Sequence, residues 1–121
     1  MKPTLCSVLL GIILAQLWAA PARASDAGWG TITTFEVFAN GVVLVTTNGS
    51  RDTPPACQST RPDLAGRWGL DASASGGQAL LSILATAYAQ HRRIRITGTA
   101  TCHTYYDSEN IAYLQVEPQG S

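Results

Sequence analysis

Lysine is almost missing from this chain: Lys2 is its only copy, and every other fixed cation is an arginine. Charge of either sign is sparse at 13 % of residues, with eight Lys+Arg against eight Asp+Glu. Without a clear basic excess, a sequence-independent grip on nucleic acid is excluded. There are two histidines and no C-x-x-C pair, which removes the commonest zinc motifs and the dithiol redox motif. Only one long apolar run exists, Leu5 to Ala20. It falls short of the ~20 apolar residues of a permanent membrane helix, and Pro21 and Arg23 close it.

That run has a different use. Lys2 supplies a short basic start, Leu5 to Ala20 the apolar region, and Ala22-Arg23-Ala24 an A-x-A pattern. Together they describe a secretory signal peptide, residues 1–24, with cleavage expected after Ala24. Localisation is therefore expected to be secreted or periplasmic. The remainder, Ser25 to Ser121, has 97 residues, enough for a single domain. Removing Lys2 and Arg23 leaves six basic residues against eight acidic ones, a net charge of −2. It also removes Cys6, so Cys57 and Cys102 are the only thiols left. In an oxidising compartment they are expected to pair. Closing a loop of about 46 residues restricts the unfolded chain by roughly 4 kcal/mol in the entropic treatment.

The strongest local signal is Asn40-Gly41 between two β-rich stretches, Thr31 to Ala39 and Val42 to Thr47. Asn-Gly predicts a two-residue type I′ hairpin with both residues at positive φ. That turn would pair Ala39 with Val42, Phe38 with Val43, Val37 with Leu44 and Phe35 with Thr46. One face would then carry Phe35, Val37, Ala39, Val42 and Leu44 and form the core. The other would present Phe38, Val43 and Val45, an apolar group that needs cover from another segment or another subunit.

Asn48 to Gly66 is aperiodic and holds Gly49, Pro54, Pro55 and Pro62, so it reads as a long loop. Arg67 to Leu70 is a short strand with Trp68 inside. Ser73 to Gln90 is the one helix, with Ser73 or Ser75 as N-cap and Leu80, Ile83, Leu84, Ala87 and Tyr88 as its apolar stripe. No position in it is charged, so burial on nearly all sides is expected. Arg92 to Cys102 alternates as a strand, with Ile94, Ile96 and Gly98 on one face. Residues 103–109 form a loop, and 110–117 the last strand. The fold class is mainly β with one helix, order β-β-(β)-α-β-β: a small curved antiparallel or mixed sheet, or an OB-like five-stranded barrel.

These segments resemble a family of small exported bacterial proteins related to the B subunit of subtilase cytotoxin. The residues carrying the resemblance are Gly28-Trp29-Gly30, the hairpin, Arg67-Trp68-Gly69-Leu70-Asp71, the helix from Gly77 to Ala89, Gly98-Thr99-Ala100-Thr101-Cys102 and the strand from Glu109 to Val116. The resemblance implies an OB-type barrel, a helix near the centre of an oligomer, one disulfide and glycan binding at the surface. It assigns no glycan-contact residue position by position.

No enzyme constellation stands out, and no cofactor or metal is expected. His91 sits at a helix end, where it complements the dipole. His103, Asp107 and Glu109 are metal-ligand types in a spacing that matches no ligand pattern. Ser82 lacks the context of a hydrolase nucleophile. Arg93 and Arg95 share a strand face suited to an acidic ligand or to ion pairs with Glu117. The best binding candidates are His103, Tyr105, Tyr106 and Asp107, where two tyrosines offer flat faces with polar tips. The expected function is an exported, non-enzymatic binding or assembly module with a glycan or protein partner, homo-oligomeric, without nucleic acid or membrane span. The alternative is an exported inhibitor or accessory protein that uses the 48–66 loop against an enzyme.

Overall fold

A computed structural model describes residues 23–119. The leader expected over residues 1–24 thus lies outside the described residues, except for Arg23 and Ala24. The elements are β1 (Ile32–Val37), β2 (Val42–Thr47), β3 (Arg67–Asp71), α1 (Gly77–Ala89), β4 (Ile94–Gly98) and β5 (Glu109–Val116). They form a five-stranded mixed sheet in the order β1-β2-β3-β5-β4. Neighbours are antiparallel except β3 and β5, which run parallel through the pairs Trp68–Glu109 and Gly69–Asn110. Of the two architectures expected, the mixed sheet forms, and it is not closed into a barrel. Its edges approach one another through isolated bridges: Asp26 pairs with Thr97 and Gly30 with Ile94.

The hairpin corrects the expected turn. Its register pairs Val37 with Val43, Glu36 with Leu44 and Phe35 with Val45, one residue away from the type I′ alignment. The loop has three residues. Gly41 N–H donates to the Phe38 carbonyl at 3.0 Å, and Phe38 N–H to the Val42 carbonyl at 2.8 Å. Gly41 has φ 91°, whereas Asn40 is not among the positive-φ residues; Asn40 Oδ1 instead accepts the Val42 N–H at 3.1 Å. This is a turn followed by a left-handed glycine, the usual three-residue solution. A one-residue slip exchanges faces. Val43 and Val45 therefore enter the core with Ile32, Trp68, Leu70, Ile94, Ile96 and Ile111, and Phe35 packs against them. Val37, expected inside, is exposed, and Leu44 is buried on the opposite face.

The helix begins later than expected, and its N-cap is Gly76 in the left-handed conformation with no side-chain cap. Ser73 is occupied elsewhere: its N–H and hydroxyl both donate to Asp71 Oδ1, at 2.9 and 2.5 Å. These bonds hold the Asp71 carboxyl below its ordinary pKa range, the Ser73 hydroxyl contributing most. At the other end, His91 N–H donates to Tyr88 O and Arg92 N–H to Ala87 O. That is a Schellman termination with His91, at φ 52°, in the position usually held by glycine. Burial all round does not occur. Gly77, Leu84 and Ala87 are buried, while Ile83 and Tyr88 remain 42 % and 44 % exposed. Tyr88 stacks on Phe35 with ring centroids 5.5 Å apart. β4 follows the expected alternation, with Ile94, Ile96 and Gly98 buried.

Candidate functional site: an aromatic ledge beside the disulfide

Cys57 and Cys102 are joined, with Cα atoms 6.1 Å apart. The bond ties the middle of the 48–66 loop to the segment that follows β4. The loop is fastened further by Gln58, which is buried. Its Oε1 accepts the Glu109 N–H at 2.8 Å and its Nε2 donates to Leu64 O at 3.1 Å. Ser59 N–H adds a bond to Asp107 O at 2.9 Å. A stretch that looks structureless in the sequence is thus anchored to the start of β5.

This anchoring shapes the loop that carries the four expected ligand residues. Tyr105 and Ser108 form an isolated bridge, with Ser108 N–H donating to Tyr105 O at 3.2 Å. Tyr106 and Asp107 therefore occupy the apex of a tight turn. Asn110 locks the base of the turn by accepting the Thr104 N–H at 3.1 Å and donating to Thr104 Oγ1 at 2.6 Å. The four residues do not play equal parts. Tyr105 stacks on Phe38 at 6.4 Å and lies 5.2 Å from the Arg67 guanidinium, so its ring is a support. Asp107 is held by Arg67 Nη2 at 2.5 Å and by Ser108 Oγ at 3.1 Å, so its carboxylate is already engaged. Tyr106 lies 5.0 Å from Tyr105 and is 77 % exposed. His103 is exposed as well.

The result is an aromatic ledge, Phe38–Tyr105–Tyr106, in which a half-buried Tyr105 lies between an exposed Phe38 and the open Tyr106. Phe38 belongs to it because the hairpin register places Phe38 on the outer sheet face under Tyr105. In the register that Asn40-Gly41 predicts, Phe38 lies in an uncovered patch with Val43 and Val45. Those two lie inside the subunit, and Phe38 joins the candidate site instead. Such a surface can stack on the apolar face of a sugar ring or on a partner's side chain, with the Tyr106 hydroxyl as a hydrogen-bonding tip.

A second polar cluster was not anticipated. Glu109, expected in a loop, opens β5, and its side chain is fully buried. Arg51 Nη2 donates to its Oε1 at 2.8 Å. Ala100 N–H and Ser25 N–H donate to its Oε2 at 2.9 and 3.1 Å, and the Ser25 hydroxyl donates to Oε1. Arg51 lies over the Trp68 ring at 3.7 Å and donates to the carbonyls of Ala65 and Arg67. Burial lowers the Arg51 pKa from its ordinary value, and the Glu109 contact opposes that shift. Glu109 fills the space a side chain at position 98 would need: a Cβ built on Gly98 would lie 1.9 Å from Oε2. The sequence signal available was Gly98 itself, a glycine within an alternating apolar strand, which marks a close approach.

Arg93 pairs with Glu117 at 3.0 Å in a solvated ion pair. Among the described residues, no group of three or more His, Cys, Asp or Glu is arranged to hold a metal ion. No helix among them is long and apolar enough to cross a membrane. A separate concavity of about 340 Å³ lies between α1 and the end of β5, lined by Ile83, Thr86, Arg92, Val116 and Glu117 among others. It contains none of the expected ligand residues. Comparison with protein families, curated proteins and solved structures returned no match.

Proposed function

We propose that this protein is an exported, non-enzymatic binding module of the toxin-B-subunit type, and that it recognises a glycan through the Phe38–Tyr105–Tyr106 ledge. The observation that carries the reading is Tyr106: a large aromatic ring, 77 % exposed, at the apex of a turn that a disulfide, an ion pair and two Asn110 hydrogen bonds make rigid. An exposed aromatic held in place loses little conformational entropy on binding, and its flat face suits a sugar ring. Export agrees with the leader-like residues 1–24 and with the disulfide. A glycan array probed with the secreted protein tests this. Selective saccharide binding that falls at least tenfold in Tyr106→Ala, with an unchanged melting temperature, is the expected result. Absence of saccharide binding overturns it.

One observation favours the inhibitor reading as a second choice. The 48–66 loop is anchored at Cys57, Gln58 and Ser59, yet Arg61, Pro62 and Asp63 at its far turn are exposed. A rigid loop with an exposed tip is what an inhibitor presents to an enzyme. In that case Arg61 or Pro62 substitutions would abolish partner binding and Tyr106→Ala would not.

A further inference from the structure

Ser25 is the residue that cleavage after Ala24 would leave at the front of the chain, and its surroundings are unusual for a chain start. Arg23 and Ala24 are exposed, whereas Ser25 is 0 % exposed. Its nitrogen lies 3.1 Å from Glu109 Oε2, and its hydroxyl bonds Oε1 of the same carboxylate while accepting Arg51 Nε–H at 2.9 Å. Its carbonyl accepts the Gly98 N–H at 2.9 Å. Every polar atom of Ser25 is thus engaged, and two of them by one buried glutamate. First residues are ordinarily poorly ordered unless something ties them down.

We propose that Glu109 is a built-in receptor for the amino terminus that leader removal creates: hydrolysis of the Ala24–Ser25 bond gives Ser25 an α-ammonium that docks on Glu109. The inference rests on the reading of residues 1–24 as a cleaved leader. In the hydrolysis, water supplies OH to the Ala24 carbonyl carbon and a proton to the Ser25 nitrogen. The new amine is protonated at neutral pH, since an α-amino group ordinarily titrates near ~7.7–8.0. A neutral amide donor beside Glu109 thereby becomes a cation, which makes the hydrogen bond charge-assisted on both sides. Glu109 would then face two cations, Arg51 and the ammonium. The balancing acidic group is present: Asp52 Oδ1 accepts the Asp26 N–H at 2.7 Å and acts electrostatically on Arg51.

Docking the ammonium would fix the 25–30 segment that bridges β4, so processing and completion of the fold are coupled. Ser25 suits the position because it offers a nitrogen and a hydroxyl to the two carboxylate oxygens. Glu109 is held for the role by Ala100 N–H, at a residue strained into φ 69°.

The near absence of lysine provides a clean assay. Lys2 is the only lysine, so a chain starting at Ser25 has its α-amine as the sole primary amine. The protein is expressed from the full-length gene, recovered after export and treated with an amine-reactive ester at neutral pH, folded and in urea. Intact mass first reads the amino terminus, and a start other than Ser25 overturns the processing step and the proposal with it. With the start at Ser25, labelling at least tenfold slower in the folded state is expected, and Glu109→Gln should bring the folded rate towards that in urea. Equal rates for wild type, folded and in urea, overturn the docking while leaving the leader reading intact. The wild-type comparison decides the question even if the Gln variant does not fold.

Discussion

Replacing Arg51 with alanine should expose how the buried cluster is balanced. The Arg51 and Glu109 side chains are 8 % and 0 % exposed, so in a chain that keeps Ala24, where the Ser25 nitrogen is an uncharged amide, Arg51→Ala strands a carboxylate that solvent cannot reach. Breaking a buried pair by removing one partner costs about 3–5 kcal/mol. The loss of the guanidinium above Trp68 adds about 0.5–2 kcal/mol, and the carbonyls of Ala65 and Arg67 lose their donor. Against a total stability of about 5–15 kcal/mol for a domain, the variant should be barely folded. Urea unfolding followed by tryptophan fluorescence measures this, since Trp68 lies at the centre of the affected core. The double variant Arg51→Ala/Glu109→Gln distinguishes a stranded charge from simple loss of packing. A neutral amide keeps an oxygen for the Ser25 and Ala100 N–H groups but removes the charge. The double variant should therefore be more stable than Arg51→Ala, by about 1 kcal/mol or more. A double variant less stable than the single one, or a single variant within about 1 kcal/mol of wild type, would refute the reasoning.

Four further outcomes follow from the geometry. His91→Gly should stabilise the protein by about 1 kcal/mol, because His91 occupies a left-handed position where a Cβ is penalised; a lower melting temperature would contradict the Schellman assignment. Gly41→Val should cost on the order of 1 kcal/mol or more, since φ at Gly41 is 91°, and a neutral melt would contradict the three-residue loop. Asp71 has a folded pKa below its unfolded one, so its contribution is present above the unfolded value and is lost as pH falls through the folded value; in Asp71→Asn, the acid limb of the stability curve should lose that component. Self-association should proceed through the uncharged helix surface around Ile83 and Tyr88, giving a light-scattering mass above that of one chain that Ile83→Glu returns to the single-chain mass.

The strand and helix inventory was legible in the sequence because periodicity carries it. Ile94, Ile96 and Gly98 alternate as a half-buried strand must, and Trp68 sits where a short apolar run predicts. Asn40-Gly41 predicts a register one residue away from the observed one for an identifiable reason. Asn40-Gly41 satisfies a type I′ turn, but glycine alone at positive φ, with Asn40 bonding the Val42 N–H, serves a three-residue loop equally well. Strand β2 could not arbitrate, since Val42, Val43, Leu44 and Val45 are apolar on both faces and fit either alignment. The consequence reached function. Moving Val43 and Val45 inside removes one of the two surfaces on which self-association was expected, and the exposed helix face alone now supports it.

The candidate site was half legible for a related reason. Tyr105 and Tyr106 stand out as adjacent aromatics in a polar loop, but sequence gives no sign that one is a support and the other the exposed tip. That division depends on Phe38 and Arg67, which are distant in the chain and reach Tyr105 only through the sheet. The Ser25–Arg51–Glu109 cluster was illegible altogether. Its members are separated by 26, 58 and 84 residues, none has a motif, and a lone glutamate near a strand end reads as solvated. Burial makes it significant, because a carboxylate without solvent must have its charge met by named groups. Two of those groups, Arg51 and Ala100 N–H, belong to the folded chain wherever it starts. The other two come from Ser25: its hydroxyl, and its nitrogen, whose charge depends on whether the peptide bond before it is intact, so under the proposed docking Glu109 couples the covalent state of the chain terminus to the packing of β5 against Trp68.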